Sequence, residues 1–234
     1  MSPLPGSRGA ANIRNLSQPA LKALYKMSIT GTDNVPRSGR VILAANHIGF
    51  LDGPVLFAAS PRPVHLVAKS EVFVPPLDKV LRTAGQISLD YDSADRDGIA
   101  VALEVLEDGR ALGIFPEAHR SLGNFASIRH GIAYLHSRTN APIVPVAILG
   151  TRQTGMGKES VPRLRSPIVV AYGEPFSLMN ENLVGDLDKR ATLAGLGEAI
   201  RQRLADHVAQ AVRTCGVALP TDAIAPPQPT TAGS

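Results

Sequence analysis

The sequence predicts an α/β fold, a mostly parallel central sheet flanked by helices. Three observations carry this. Six apolar runs of strand length recur along the chain, at 41–45, 64–68, 86–89, 111–115, 143–148 and 168–172. Segments with apolar residues at helical spacing separate most of them, the alternation that builds a parallel sheet. The chain has 234 residues, 44% of them hydrophobic and 19% charged, enough for one domain with a full core.

In order, residues 1–11 are rich in Gly, Ser and Pro and are expected to be disordered. Leu21, Leu24 and Tyr25 beside Lys22 and Lys26 predict a short basic amphipathic helix over 20–27, with Pro19 near its start. Together these make a basic N-terminal arm, 1–27, ahead of a domain over 28–218. Within that domain Ile99, Leu103 and Leu106 mark a helix ending before Gly109, and Ile128, Ile132 and Leu135 one ending before Asn140. Leu196, Ile200, Leu204 and Val208 line one face of a helix near 187–214. The Ala/Pro/Thr-rich segment 219–234 reads as a disordered tail.

Several function classes fall away. No window reaches the roughly 18 uninterrupted apolar residues of a membrane span, because the apolar stretch 41–59 contains Asn46, His47 and Asp52. The N-terminus has no signal-peptide core, so a cytoplasmic location is expected. Cys215 is the only cysteine, which excludes an intrachain disulfide and a cysteine-based metal site. The net charge of +4 lies in the arm, where Arg8, Arg14, Lys22 and Lys26 precede the first acid, Asp33. From Arg110 to Arg165 eight basic residues face only Glu117 and Glu159, a region suited to an anion. Nucleic acid is not expected as a partner, since only 4% of residues are aromatic and no recognition signature accompanies the charge.

Two short stretches carry chemistry. In "AANHIGFLDG", His47 and Asp52 stand five positions apart, too far round a helix to share a face. Gly49 and Gly53 permit a tight turn that would return Asp52 to the imidazole. The carboxylate would then hold one ring nitrogen as N–H and leave the other to accept a proton from a hydroxyl. A strand end with two solvated polar residues fits the same spacing. In "FPEAHRS", Phe115 to Ser121, an acid, a histidine and an arginine follow a strand, where α/β proteins assemble sites. Glu117 could accept hydrogen bonds from a polyol, and Arg120 offers a fork for a phosphate. An internal Glu117–Arg120 ion pair is the plain alternative.

Together the two stretches resemble the glycerolipid acyltransferase family that includes the 1-acylglycerol-3-phosphate acyltransferases, with its N-H-x4-D and F-P-E-G-[ST]-R-S blocks. "GQISLD" at Gly85–Asp90 and "APIVPVAI" at Ala141–Ile148 are similar to two further blocks, and the likeness covers about residues 29–176. It implies a glycerolipid acyltransferase-like fold, His47 as general base and Asp52 as the residue that orients it. Substrate binding is implied for Phe115, Pro116, Glu117, His119 and Arg120, with Arg120 on the acceptor phosphate and Arg129 in the basic position downstream. The implied reaction moves a fatty acyl group from an acyl thioester to the free hydroxyl of a lysophospholipid, 1-acylglycerol-3-phosphate giving phosphatidate. Ala118 and His119 stand where the family has Gly and Ser or Thr, and Tyr91 where the second block commonly ends in Arg. A different lysolipid acceptor, or an acyltransferase-like lipid-binding protein without catalysis, is therefore the alternative.

No cofactor and no metal are implied. The donor, an acyl-CoA or acyl carrier protein thioester, is a co-substrate, and acyl carrier protein is then a partner. There is no G-x-S-x-G, the nearest approach "HRSLG" having His119 at the first Gly, so direct attack by the acceptor is expected rather than an acyl-enzyme. Against a metal-dependent hydrolase with His47 and Asp52 as ligands, there is no H-E-x-x-H and the other histidines are scattered at 65, 119, 130, 136 and 207. The stretch "GTRQTGMGKES" fails as a P-loop at Arg152 and Glu159. It reads as a flexible Gly-rich loop. The basic arm is expected to rest on an anionic membrane surface, a peripheral position on the inner face of the cell membrane.

Overall fold

In a computed structural model, which describes residues 6–90, 95–178 and 189–222, thirteen α-helices and β-strands follow one another among the described residues. They are α1 (Ser7–Leu24), β1 (Lys26–Thr30), β2 (Val41–Ala45), α2 (Asp52–Ala59), β3 (Val64–Lys69), α3 (Leu77–Thr83) and β4 (Ile87–Leu89). α4 (Arg96–Glu107), β5 (Ala111–Ile114), α5 (Gly131–Thr139), β6 (Ile143–Leu149), β7 (Pro167–Tyr172) and α6 (Lys189–Cys215) complete the chain. The strands form one sheet in the order β1-β7-β6-β2-β5-β3-β4, and every pair is parallel except β6 with β7. The mostly parallel sheet predicted by the sequence is the one observed.

β2 and β6 are buried at every position, as parallel strands covered on both faces must be. On one face Ala102, Val105, Leu106, Ile132, Leu135, Ile200, Leu204 and Val208 bring α4, α5 and α6 onto the sheet. On the other, Ala10, Val55, Leu56 and Phe57 bring α1 and α2. β2 lies between β5 and β6, with Ala44 opposite Ile114 and Ala45 opposite Val146. The three chain segments leaving these strands therefore emerge side by side at the carboxyl edge, the usual place for an α/β site.

The N-terminal segment differs from the expectation. α1 begins at Ser7, inside the stretch expected to be disordered, and Pro19 lies within it. Ala10 is buried, Ile13 and Leu21 pack against the core, and Arg14 Nη1 donates to the Ser60 carbonyl (2.6 Å). The helix ends at Leu24, and Lys26 to Thr30 form an edge strand paired with β7. Two smaller differences concern the later elements. α5 starts at Gly131, after Ile128, although it ends before Asn140 as expected, with Asn140 capping it in the left-handed conformation (φ 51°). The expected tail is placed as far as Asp222, with Leu219 packed against the core. The start of the helix near 187, Tyr91 and the tail from 223 on lie outside the described residues.

Candidate active site

His47 follows β2, and Asp52 opens α2, where a carboxylate also favours the positive end of the helix. Pro54 sits in the same first turn, where its missing N–H leaves no bond unmade. The Asp52 side chain is fully buried and accepts from every side. Oδ2 takes His47 Nδ1–H (2.8 Å), Ile48 N–H (2.6 Å) and Gly49 N–H (2.8 Å), while Oδ1 takes the Thr151 hydroxyl. Because a carboxylate only accepts, Nδ1 carries the hydrogen and Nε2 is the ring's acceptor. The ring stacks on Phe115, centroids 4.4 Å apart, and is 18% exposed.

The glycines act otherwise than expected. A Cβ at Gly49 would lie 3.0 Å from the Thr151 carbonyl oxygen and 3.2 Å from Arg152 Cβ, so Gly49 allows close approach and not an unusual dihedral. Gly53 is helical with nothing near a Cβ, and has no part in returning Asp52.

The turn after β5 supports His47 from beneath. Phe115 to Ala118 form a turn closed by Ala118 N–H to the Phe115 carbonyl (3.0 Å), with Pro116 in the position that favours its fixed φ. Glu117 points inward. It accepts from His47 N–H (2.8 Å), the Ser121 hydroxyl (2.5 Å) and Phe125 N–H (3.3 Å), and Ser121 N–H donates to the His47 carbonyl (2.7 Å). Burial raises the Glu117 carboxyl above its ordinary pKa, partly offset by the bonds from Ser121 and His47. Glu117 thus fixes the backbone of His47, and the Glu117–Arg120 pair allowed by the sequence does not form.

Arg120 turns the other way. Nη1 is ion-paired with Glu159, and the guanidinium lies over Phe50, 5.7 Å from the ring centroid. His119 is exposed on the same turn. Arg129 N–H donates to the Pro116 carbonyl (2.8 Å), and the residue lines an apolar cavity of about 50 Å³ together with Phe115, Pro116, Leu89, Ile99 and Leu135. Ala118 has φ 61°, the left-handed region in which a Cβ costs about 1–2 kcal/mol. Ala118→Gly is therefore expected to raise stability by up to about 1 kcal/mol, the relief being reduced by the freer unfolded chain. A lower melting midpoint for Ala118→Gly would show that this turn holds no strain.

The sequence reading missed several residues that hold His47 and Asp52. Buried Asn46 donates to the Ile148 carbonyl (3.0 Å) and accepts from Ile148 N–H (2.7 Å), tying the end of β2 to β6. Arg152, 1% exposed, donates from Nε to the Ile48 carbonyl (2.9 Å) and from Nη1 to the Met156 carbonyl (3.1 Å). Its remaining donors reach the Asp222 carboxylate and carbonyl, both at 3.2 Å. The loop read as flexible thus contains two fully packed residues, Thr151 and Arg152. A polar pair directly after an all-apolar strand was the available signal.

Two buried histidines, His65 and His136, and the half-buried His207 have structural partners. His65, His136 and His207 each bond a backbone carbonyl, of Gly85, Ala141 and Ala171, and burial lowers the pKa of all three. Among the described residues no group of His, Cys, Asp and Glu is arranged to hold a metal, and no helix is long and apolar enough to cross a membrane.

The chain is 29% identical to an uncharacterised protein of Mycobacterium tuberculosis over 161 residues, 62% of this chain and 43% of that one. It is 29% identical to a 1-acyl-sn-glycerol-3-phosphate acyltransferase of Borreliella burgdorferi over 130 residues, 54% of this chain and 52% of that one. The protein of the same name from Bacillus subtilis is 24% identical over 191 residues, 79% of this chain and 92% of that one. The chain therefore spans about half the length of the first two relatives. The crystal structure of the 1-acyl-sn-glycerophosphate acyltransferase PlsC from Thermotoga maritima matches with a TM-score of 0.62 at 19% identity, over 85% of this chain and 79% of that one, a likeness of fold. The Acyltransferase family model matches residues 26–149, more than half of the chain and the whole stretch from β1 to β6 that carries His47, Asp52 and the turn after β5, so the chain belongs to the Acyltransferase family.

Proposed function

We propose that the protein transfers a fatty acyl group from an acyl thioester to the free hydroxyl of a lysophospholipid, 1-acylglycerol-3-phosphate giving phosphatidate. The observation that carries this is the His47–Asp52 pair, its tautomer set by a buried carboxylate, on the same edge of the sheet as Arg120. His47 Nε2 takes the acceptor's hydroxyl proton as the oxygen attacks the thioester carbonyl, and Asp52 stabilises the imidazolium. The tetrahedral intermediate collapses with loss of the thiolate, which receives that proton. Arg120 holds the acceptor phosphate. Two features favour direct transfer. Ser121 donates to Glu117 and accepts from Gly123 N–H (2.9 Å), and Cys215 lies on α6 packed against the core. The donor is acyl-CoA or the thioester of acyl carrier protein, with no further cofactor. Thiol release from acyl-CoA is expected only when a lysophospholipid is present, and Arg120→Lys is expected to raise the acceptor KM, because a point charge does not reproduce a bidentate fork. Thiol release without acceptor would point to hydrolysis instead.

Lipid access is proposed through a surface different from a free arm. The end of α1 is joined to the loop before β7 by Arg165 N–H to the Leu24 carbonyl (2.7 Å) and Lys26 N–H to the Ser166 carbonyl (3.0 Å). There Leu24, Val161 and Leu164 are 45%, 52% and 68% exposed, interleaved with exposed Lys22, Lys26, Arg163 and Arg165. Four basic residues at about 1 kcal/mol each, with inserted apolar side chains, would give reversible, salt-sensitive binding to the anionic inner face of the cell membrane. Sedimentation with phosphatidylglycerol vesicles should be lost at high salt and in a Lys22→Glu, Arg163→Glu, Leu164→Gln variant. Wild-type sedimentation by that variant would move the contact to another surface.

A further inference from the structure

Arg120 is engaged by the protein itself in a way that leaves it half used. Glu159, on the loop between β6 and β7, takes Nη1 through one oxygen and is 64% exposed, whereas the arginine is 20% exposed. Nε is buried and no described residue accepts its hydrogen. The guanidinium lies over Phe50, its carbon 5.7 Å from the ring centroid. A phosphate can bridge Nε and an Nη in the fork arrangement, satisfying the buried donor that Glu159 leaves unmet. The contact also has little to hold it closed, since an ion pair with one solvated partner is worth about 0.2–1 kcal/mol.

We propose that Glu159 is an internal competitor at the acceptor site, a carboxylate that occupies Arg120 until the acceptor's phosphate displaces it and that thereby sets acceptor affinity. This rests on Arg120 being the acceptor's anion site. A self-ligand that closes the site for part of the time weakens every external ligand of that site by one common factor, the inverse of the open fraction. Removing the charge while keeping the shape, Glu159→Gln, therefore tightens phosphate binding by up to roughly two- to sixfold, the range set by such a pair. In transfer assays the acceptor KM falls by that same factor for every phosphate-bearing acceptor, and the donor KM does not move.

The test is calorimetric titration of inorganic phosphate into the full chain, for wild type, Glu159→Gln, Arg120→Ala and the double variant. The expected result is tighter binding by Glu159→Gln, weaker binding by Arg120→Ala, and no tightening when Glu159→Gln is added to Arg120→Ala, because the two residues act on one contact. Equal affinity of wild type and Glu159→Gln would overturn the proposal. So would equal tightening in the Arg120→Ala background, which would reduce the effect to general surface charge. Phosphate binding is read without turnover, so a wild-type protein that transfers no acyl group would count against the proposed function and not against the competitor.

Discussion

Replacing His47 by alanine is expected to lower acyl transfer by about 10²–10⁴-fold, the range a positioned general base supplies, while the protein stays folded. The fold should survive because the backbone at 47 keeps its bonds to Glu117 and Ser121, and Asp52 Oδ2 still receives Ile48 and Gly49 N–H. Asp52→Asn is a harsher change. Four donors converge on that carboxylate, so an amide must turn its own donors toward at least one of them in a fully buried place. It should lose transfer and stability together. Thr151→Val removes one donor and leaves the His47 contact, and is expected to cost about 1 kcal/mol with most transfer retained. Transfer rates and melting midpoints on the same preparations separate these cases. A His47→Ala protein with wild-type turnover would remove His47 from the chemistry.

Arg152→Ala should produce the second large effect, on stability first and on turnover through it. The guanidinium joins the carbonyl of Ile48, one residue beyond His47, to the loop carbonyl of Met156 and to both acceptors of Asp222. Truncation leaves a cavity and a buried carbonyl without its donor, together about 3–5 kcal/mol. The turnover number should fall with it, since Ile48 and Gly49, directly after His47, are held on their N–H side by Asp52, and Ile48 on its carbonyl side by Arg152. Arg152→Lys cannot span these acceptors with one ammonium and should fall between. Asp222→Asn keeps the main-chain acceptor and should have the smallest effect. A wild-type midpoint and turnover number in Arg152→Ala would show that Asp52, Glu117 and Ser121 hold the segment without Arg152.

The contrast between these two sites shows what the sequence carried. His47 and Asp52 were readable because both lie in one short segment between apolar runs. Arg152 and Asp222 are 70 positions apart and meet largely through backbone carbonyls, which leave no residue pattern. Glu117 and Arg120 are near neighbours, yet the left-handed Ala118 between them reverses the chain, so one faces His47 and the other Glu159. β2, β5 and β6 were legible because burial on both faces makes them uniformly apolar, and β3, β4 and β7 because most of their positions are still apolar. β1 was not, since "KMSIT" is an edge strand with alternating exposure and only Met27 and Ile29 to show for it. α2 failed for the opposite reason. With α1 on one side and the sheet on the other, six of its eight residues are buried and no helical period remains.

The most direct measurement incubates the full chain with radiolabelled acyl-CoA, or the acyl carrier protein thioester, and a panel of lysophospholipids, with His47→Ala run alongside. Labelled phosphatidate formed from 1-acylglycerol-3-phosphate by the wild type, with one thiol released per product and none formed by His47→Ala, is the predicted result. A folded wild-type protein that moves no label to any lysophospholipid from either donor would contradict the account.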